Sequence, residues 1–196
     1  MKGLFQSAIL LICFATSVTA QTSQSSPPKD GKYYKIKVVE SGKYVSVQNG
    51  SADKGAVLMQ QDFEDKRWQK FLARKNADGS WCFFSMHSNK AICTERGDGS
   101  EADKVVQGTT SQQSGRWLLD YTTDCLDGWQ IKYALGDKRP MQIFPGGSFG
   151  LKLQVYQDAA LDCSVTYFFE EVAGPPVDEQ SIRSHFRPVG TIKKKN

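Results

Sequence analysis

Histidine and close cysteine pairs are scarce in this sequence of 196 residues. It contains two histidines, and only His87 lies before residue 173. Its five cysteines include no C-x-x-C pair. Structural metal sites in proteins are built from close Cys or His pairs. The sequence therefore predicts no metal site, and nothing in it indicates a cofactor.

Motifs for phosphate binding and for common catalytic machinery are also lacking. The glycine-rich stretch 146–150 has neither the lysine nor the following helix that a phosphate-binding loop needs. No carboxylate can be placed behind the imidazole of His87. The carboxylates that glycoside cleavage could use lie in predicted loops, where we expect solvation: Glu64, Asp65, Glu101 and Asp103. The sequence therefore favours a protein without catalytic activity.

No strong charge of one sign marks the centre of the chain. The 25 Lys and Arg residues nearly balance 21 Asp and Glu residues, for a net charge of +4. The stretch 173–196 carries five positive and two negative side chains and ends in a run of lysines. Residues 31–172 are consequently close to neutral, which argues against a nucleic-acid-binding domain. The basic end could touch an anionic surface, but a solvated flexible tail is the favoured interpretation.

Long hydrophobic runs occur only at the N-terminus. Lys2 precedes an apolar run over 8–15, and the small residues Val18-Thr19-Ala20 follow it. A membrane span needs about 20 apolar residues, so this run is too short for an anchor. Residues 1–20 are typical of a secretory signal peptide that is cleaved after Ala20. We therefore expect a secreted protein with no membrane span.

Four cysteines would remain after this cleavage: Cys82, Cys93, Cys125 and Cys163. An even number in an exported protein suggests two disulfides, and four cysteines allow three pairings. If 81–85 and 91–95 are the arms of a hairpin that turns near His87, Cys82 and Cys93 fall opposite each other. This geometry favours one disulfide between Cys82 and Cys93 and another between Cys125 and Cys163.

Short runs of alternating apolar residues fill the centre of the chain, for example at 34–38, 44–47 and 57–59. Gly, Asn and Asp separate these runs, and no helical periodicity competes with them. Strands at this spacing predict an all-β sandwich or barrel. The polar stretch 21–30 is interpreted as a disordered linker, 31–172 as the folded domain and 173–196 as the tail.

The folded domain repeats itself with a period of about 48 residues. Three sets of residues recur at this period: Val57, Val105 and Leu153; Trp68, Trp117 and Thr166; Lys43, Lys90 and Arg139. Each repeat also opens on an aromatic residue: Tyr33 or Tyr34, then Trp81, then Trp129. Three copies of a four-strand unit, each too small to bury its own apolar face, can close around one core. The repeats therefore predict a β-trefoil.

The first repeat resembles one repeat of a ricin B-type lectin domain. The resemblance lies in 33–36 (YYKI), 41–47 (SGKYVSV), Gly55-Ala56 and Trp68. The second and third repeats match progressively less, and together the three cover 31–172. Membership of this family implies a binding module without catalysis that recognises a glycan through a shallow pocket in each repeat.

Such a pocket combines three chemical groups. A carboxylate accepts hydrogen bonds from neighbouring hydroxyls, an amide completes them, and an aromatic ring stacks on the apolar face of the sugar. The family's aspartate is replaced by Ser46, Cys93 and Gln142 in the three repeats. None of these three residues is a carboxylate.

The third repeat is the best predicted site, because 153–156 (LQVY) matches the family segment that supplies the amide and the ring. The predicted glycan contacts there are Gln142, Gln154, Tyr156 and Asp158. In the first repeat they are Ser46, Gln60 and Asp62, after a small register shift. The second repeat has no ring in 106–109. The alternative for Gln154 and Tyr156 is that they are ordinary surface residues on an edge strand.

Two further motifs have simple structural interpretations. Trp68 and Trp117 are interpreted as core residues, because a trefoil interior is built from repeated large apolar side chains. Asn49-Gly50-Ser51 is a glycosylation sequon and equally a tight turn. The predicted function is a secreted carbohydrate-binding module. The alternative is a trefoil scaffold that has lost sugar binding and binds a protein partner through its loops.

Overall fold

A computed structural model of the chain describes residues 26–97, 103–108, 115–123, 127–136, 138–143, 153–155 and 166–176. The predicted signal peptide 1–20, half of the predicted linker and all but the first four residues of the predicted tail lie outside these ranges. The described residues form twelve strands: β1 (Lys32–Val38), β2 (Tyr44–Val47), β3 (Leu58–Gln61), β4 (Phe71–Lys75), β5 (Trp81–Ser85), β6 (Ala91–Thr94), β7 (Asp103–Gly108), β8 (Trp117–Thr122), β9 (Gly128–Tyr133), β10 (Met141–Ile143), β11 (Leu153–Val155) and β12 (Thr166–Val172). Short 3-10 turns lie at Gln48–Gly50 and Arg67–Gln69.

Six of the strands form a closed antiparallel ring. Its order is β1, β4, β5, β8, β9 and β12, and β12 pairs back with β1 through six residue pairs that run from Tyr33↔Val172 to Val38↔Tyr167. The other six strands form three hairpins, β2–β3, β6–β7 and β10–β11. A unit of two ring strands and one hairpin thus occurs three times. The predicted β-trefoil is confirmed.

Each repeat places two aromatic residues opposite each other where its own two ring strands meet. The pairs are Tyr34↔Phe71, Trp81↔Trp117 and Trp129↔Tyr167. The aromatic residues predicted to open the repeats are therefore structurally equivalent. Tyr34, which is 3% exposed, holds the first position, and its neighbour Tyr33 points to the other face of the strand.

The core lies between the ring and the three hairpins. Hairpin residues that face it include Val45, Leu58, Ile92, Val105 and Met141. The Trp117 indole N–H donates to the Ile92 carbonyl over 2.9 Å, and the Tyr167 hydroxyl donates to the Met141 carbonyl over 2.9 Å. Each of these hydrogen bonds attaches a buried residue of a ring strand to the hairpin of the same repeat.

Trp68 is not the equivalent of Trp117. It is half-buried in the turn before β4, whereas Phe71 occupies the ring position that Trp117 and Tyr167 hold in the other repeats. The Gln69 side chain is buried and spans the preceding loop, donating to the Asp62 carbonyl and accepting from the Glu64 amide. The 49-residue spacing between Trp68 and Trp117 does not mark equivalent positions, because the loop before β4 differs in length from the loop before β8. The core position predicted for Trp117 is confirmed.

The predicted disulfide between Cys82 and Cys93 is wrong, because no bond joins these two described residues. The predicted hairpin itself is present, but β5 and β6 share only the pair Phe84↔Ala91 and then separate. The Cys82 thiol then meets Asn76, whose amide donates to Sγ over 3.4 Å, while the Cys93 thiol packs over Gly108 on β7. The strands have diverged before they reach the cysteines. Cys125 and Cys163 lie outside the described residues.

Helical structure in the described ranges is confined to short turns, and none of it meets the length and hydrophobicity that a membrane crossing requires.

Candidate functional site

The hairpin β10–β11 places two of the predicted third-repeat positions directly opposite each other. Gln142 pairs with Gln154 in this register, and Gln142 is half-buried. Tyr156 and Asp158, the predicted ring and carboxylate, lie outside the described residues. The third-repeat site therefore stays a prediction, and the observed register is compatible with it.

In the first repeat the predicted polar contacts are engaged within the protein. Ser46 is fully buried, and its hydroxyl donates to Gln61 Oε1 over 2.6 Å. Gln60 is also buried, and its Oε1 accepts from the Ser41 hydroxyl over 2.6 Å. The Asp62 side chain is exposed. Of the three predicted contacts, only Asp62 presents its side-chain oxygens openly to solvent.

In the second repeat, the side-chain amide of Gln107 on β7 holds a loop of the first repeat. The buried Gln107 side chain donates to the carbonyls of Ser51 and Asp53 over 2.8 and 2.7 Å. Its Oε1 accepts from the Ser88 hydroxyl over 2.7 Å. Cys93, which stands where the family has its aspartate, is buried against Gly108. These contacts give Gln107 a structural role.

A cluster that the sequence analysis missed lies on the outer face of the first hairpin. It consists of Lys35, Tyr44, Phe63 and Glu170, and we name it the aromatic–carboxylate cluster. The two rings have centroids 5.0 Å apart, and Lys35 Nζ lies 2.8 Å from Glu170 Oε2. The Tyr44 hydroxyl donates to Glu170 Oε1 over 3.3 Å. Lys35 Nζ also lies 5.1 and 4.4 Å from the centroids of the Tyr44 and Phe63 rings.

The strand register explains why these four residues meet. Lys35 on β1 lies directly opposite Glu170 on β12, so their side chains share one face of the ring. Tyr44 opens β2 and pairs with Lys37 on β1 and with Gln61 on β3. Glu170 is 126 residues away from Tyr44 in the chain, in a different repeat. A search for the site repeat by repeat therefore could not find the carboxylate.

Electrostatic interactions keep the cluster in one ionisation state. Burial alone would lower the pKa of Lys35, but the hydrogen bond and charge of Glu170 outweigh this and raise it. Burial, reinforced by the Glu170 charge, raises the pKa of the Tyr44 hydroxyl. At neutral pH the Lys35 side chain is thus an ammonium and the Tyr44 hydroxyl keeps its proton.

The cluster offers hydrogen-bonding groups to the outside. The Glu170 side chain is 36% exposed and that of Lys35 is 21% exposed. Beside Tyr44, the half-buried Gln61 uses its Oε1 for Ser46, and its amide N–H groups have no partner among the described residues. A carboxylate, an amide donor and two rings thus lie on one surface. These are the groups that hydrogen bonding and stacking with a sugar require.

Known proteins resemble the chain in both sequence and fold. Residues 19–109 match the family described as ricin-type beta-trefoil lectin domain-like. ThreeFoil, a designed three-fold symmetric protein, is 20% identical with a TM-score of 0.64, over 71% of this chain and 99% of its own. The Macrolepiota procera ricin B-like lectin, solved in complex with lactose, is 12% identical with a TM-score of 0.62, over 74% of this chain and 99% of its own. No protein with a curated description matches the sequence.

A third solved structure adds a partial match. The Polyporus squamosus lectin, bound to the epitope Neu5Aca2-6Galb1-4GlcNAc, is 12% identical with a TM-score of 0.61, over 74% of this chain and 50% of that lectin. At these identities the likeness establishes the fold. Together with the family match over 19–109, this shared fold supports a ricin B-type β-trefoil domain.

Proposed function

We propose that the protein is a non-catalytic carbohydrate-binding module and that the aromatic–carboxylate cluster is one of its glycan sites. The observation that carries the proposal is the contact of the Lys35–Glu170 ion pair with the rings of Tyr44 and Phe63 on the surface of a lectin-type trefoil. Glu170 in this contact supplies the carboxylate that Ser46 lacks. The carboxylate comes from β12 of the third repeat.

The proposed recognition follows from the chemistry of these groups. The apolar face of a sugar stacks on the Tyr44 and Phe63 rings, and two neighbouring hydroxyls donate to Glu170. The Gln61 amide donates to a further sugar oxygen. Lys35 holds the carboxylate in place and leaves part of it open to solvent. A shallow surface of this kind binds one sugar weakly, so useful affinity depends on several sites acting together.

The predicted third-repeat site, with Gln142, Gln154, Tyr156 and Asp158, is proposed as a second glycan site. Its support is the register that pairs Gln142 with Gln154. Two glycan sites on different repeats of one domain would allow the module to bind branched or clustered glycans more tightly than single sugars.

We also propose that the module acts outside the cell. Support for this location comes from the sequence of 1–20, with its charged start, apolar run and small residues before position 21. Measuring the N-terminus of the protein secreted by its source cells tests the location. An intact Met1 would contradict it.

A glycan-array screen followed by titration calorimetry tests the function. The variants are Tyr44→Ala and Glu170→Gln for the cluster, Tyr156→Ala for the third repeat, and Tyr121→Ala as a matched control. Tyr121 is a 39% exposed tyrosine on β8, in the second repeat. A charge-assisted hydrogen bond contributes about 1.5–3 kcal/mol, so Glu170→Gln should weaken binding at the cluster roughly tenfold or more.

The outcomes separate the sites. Loss of binding in Tyr44→Ala and Glu170→Gln, with binding retained in Tyr121→Ala, supports the cluster. Loss confined to Tyr156→Ala moves the site to the third repeat. A folded wild-type protein that binds no glycan contradicts the proposed function and favours the protein-binding alternative.

A further inference from the structure

The three junctions between repeats differ in one respect. β4 and β5 are consecutive in the chain, and a tight turn at 76–80 joins them through hydrogen bonds from Asn76 to Ser80 and from Gly79 to Asn76. β8 and β9 are also consecutive strands. β12 and β1 form the third junction, but they are the last and first strands of the trefoil. No hairpin turn therefore crosses the sheet edge where Tyr33 pairs with Val172.

A cavity of about 750 Å³ opens at this uncrossed edge. It is lined by Gly31, Lys32 and Tyr33 at the start of β1 and by 171–176 at the end of β12. Small-molecule sites in proteins commonly have volumes of roughly 300–1,000 Å³. The cavity is therefore large enough for a sugar residue at the end of a glycan.

The walls of this cavity are fixed by packing. Gly174 lies so close to Tyr33 that a Cβ at position 174 would overlap the tyrosine ring. Tyr33 in turn packs against buried residues that include Leu72 and Phe84. On the other side, the Gly31 amide donates to the Ala73 carbonyl over 2.9 Å. The cavity is thus preformed, and binding would require little ordering of the chain.

Two charged side chains of the cavity share one face of the sheet. Glu171 lies opposite Tyr34, and Lys32 precedes Tyr34 by two residues, so both point away from the face that holds Tyr33. Both are exposed, and neither forms an ion pair with a described residue. The adjacent residue Glu170 differs, because its carboxylate is already bound by Lys35. The cavity thus presents an open carboxylate and an open ammonium, with Pro175 and Pro176 as apolar surface.

We propose that this cavity is an additional carbohydrate site, separate from the hairpin faces, that binds one uncharged sugar residue. Pro175 and Pro176 contact the apolar face of the sugar, Glu171 accepts from its hydroxyls and Lys32 donates to its oxygens. The two charges cancel, which favours a neutral ligand over an acidic or a basic one. The ligand class rests on the proposed function, whereas the location rests on the cavity alone.

The site would occur once in the domain rather than three times. Among the described strands, its lining comes from the one junction between repeats whose two ring strands, β12 and β1, are not consecutive in the chain. The other two junctions between repeats join consecutive strands, β4 with β5 and β8 with β9. The expected stoichiometry is therefore one sugar per domain at this cavity, beside any sugars bound at the hairpins.

Two-dimensional ¹⁵N NMR of the full chain, titrated with galactose, glucose, mannose and N-acetylglucosamine, tests this proposal. We expect amide shifts at 31–33 and 171–174 with at least one of these sugars. Glu171→Gln should abolish those shifts and preserve any at 44–61, whereas the adjacent variant Glu170→Gln should do the reverse. Both residues lie on the surface of β12, so neither change should unfold the protein.

Four results distinguish this proposal from the general function. Shifts only at 44–61 overturn the cavity site and leave the proposed function standing. Shifts only at 31–33 and 171–174 support the cavity and overturn the cluster. An absence of shifts with every sugar overturns both. Nuclear Overhauser contacts from 177–196 to Tyr33 in the sugar-free protein would show that the chain's own tail fills the cavity, which also overturns the site.

Discussion

Trp81 and Trp117 lie directly opposite each other on β5 and β8, at the junction of the two ring strands of the second repeat. The first and third repeats place Tyr34↔Phe71 and Trp129↔Tyr167 in the same position. Cross-strand aromatic residues at these positions bury a large apolar area. One pair in each repeat thus joins the two ring strands of that repeat, at equivalent places around the core.

Trp117 should be among the residues that the fold tolerates least. It is completely buried, and its indole N–H is bonded to the Ile92 carbonyl. Trp117→Ala should lower the free energy of unfolding by about 3–5 kcal/mol. Trp117→Phe keeps a ring but leaves the Ile92 carbonyl unsatisfied, at a cost of about 1–3 kcal/mol. Urea unfolding followed by circular dichroism measures both values, with the exposed Tyr121→Ala as the control. A loss under 1 kcal/mol for Trp117→Ala contradicts the assignment.

The stability of the fold should require glycine at position 108, because the Cys93 side chain leaves no room there for a larger residue. A Cβ at position 108 would overlap the Cys93 sulfur. We expect Gly108→Ala to destabilise the protein by about 1–3 kcal/mol through overpacking. Removing the sulfur in Cys93→Ala should relieve this overlap, so the double variant should be more stable than the sum of the single effects implies. Strict additivity in the unfolding free energies would mean that the two residues do not touch.

The Cys82 and Cys93 thiols should remain reduced in the folded protein. Burial, which outweighs the hydrogen bond from Asn76, raises the pKa of the Cys82 thiol. Since the thiolate is the reactive form, Cys82 should alkylate slowly in the native state even above pH 8. Denaturation without reductant, alkylation with N-ethylmaleimide and peptide mass spectrometry should find both residues modified. A peptide that links Cys82 to Cys93 would contradict the structure.

The fold was predictable because each repeat carries its own pattern of short strands and turns. The constant period of Val57, Val105 and Leu153 comes within one residue of the equivalent hairpin positions. Those positions are Leu58, Val105 and Leu153, which pair with Val47, Thr94 and Ile143. Equivalent hairpin positions must face one shared core, so apolar residues at these positions reveal the repeat. Where a loop differs in length, the constant period points to the wrong residue. It selects Trp68, whereas Phe71 holds the position on the ring strand that is equivalent to Trp117.

The aromatic–carboxylate cluster could not be predicted in this way. Its carboxylate, Glu170, meets Lys35 because the last ring strand closes against the first, and no short sequence motif records that contact. Similarly, Cys82 and Cys93 are symmetric about their turn in the sequence, but β5 and β6 pair only at Phe84 and Ala91, before the cysteines are reached. Strand divergence depends on the neighbouring strands, β4, β8 and β7, which a hairpin considered alone does not contain.

Tyr167 should make the stability of the domain fall above pH 10. Its hydroxyl is completely buried and bonded to the Met141 carbonyl, and burial raises its pKa far above the ordinary value of 10.0. In the unfolded chain the phenol loses its proton near that ordinary value, while in the folded protein it stays protonated. The unfolded state then binds fewer protons, so the stabilisation present below pH 10 is lost progressively as the pH rises. For this one group the loss approaches about 1.4 kcal/mol per pH unit.

Comparison of wild type with Tyr167→Phe isolates this effect from the titration of lysines and of the other tyrosines. The variant should be less stable than wild type at pH 7, because the Met141 carbonyl loses its donor. Between pH 10 and 11 its unfolding free energy should fall less steeply than that of wild type, by up to about 1.4 kcal/mol per pH unit. Urea unfolding at pH 9, 10 and 11 gives the two slopes. Equal slopes would mean that the phenol ionises as easily in the folded protein as in the unfolded chain, and that Tyr167 is not enclosed in the core.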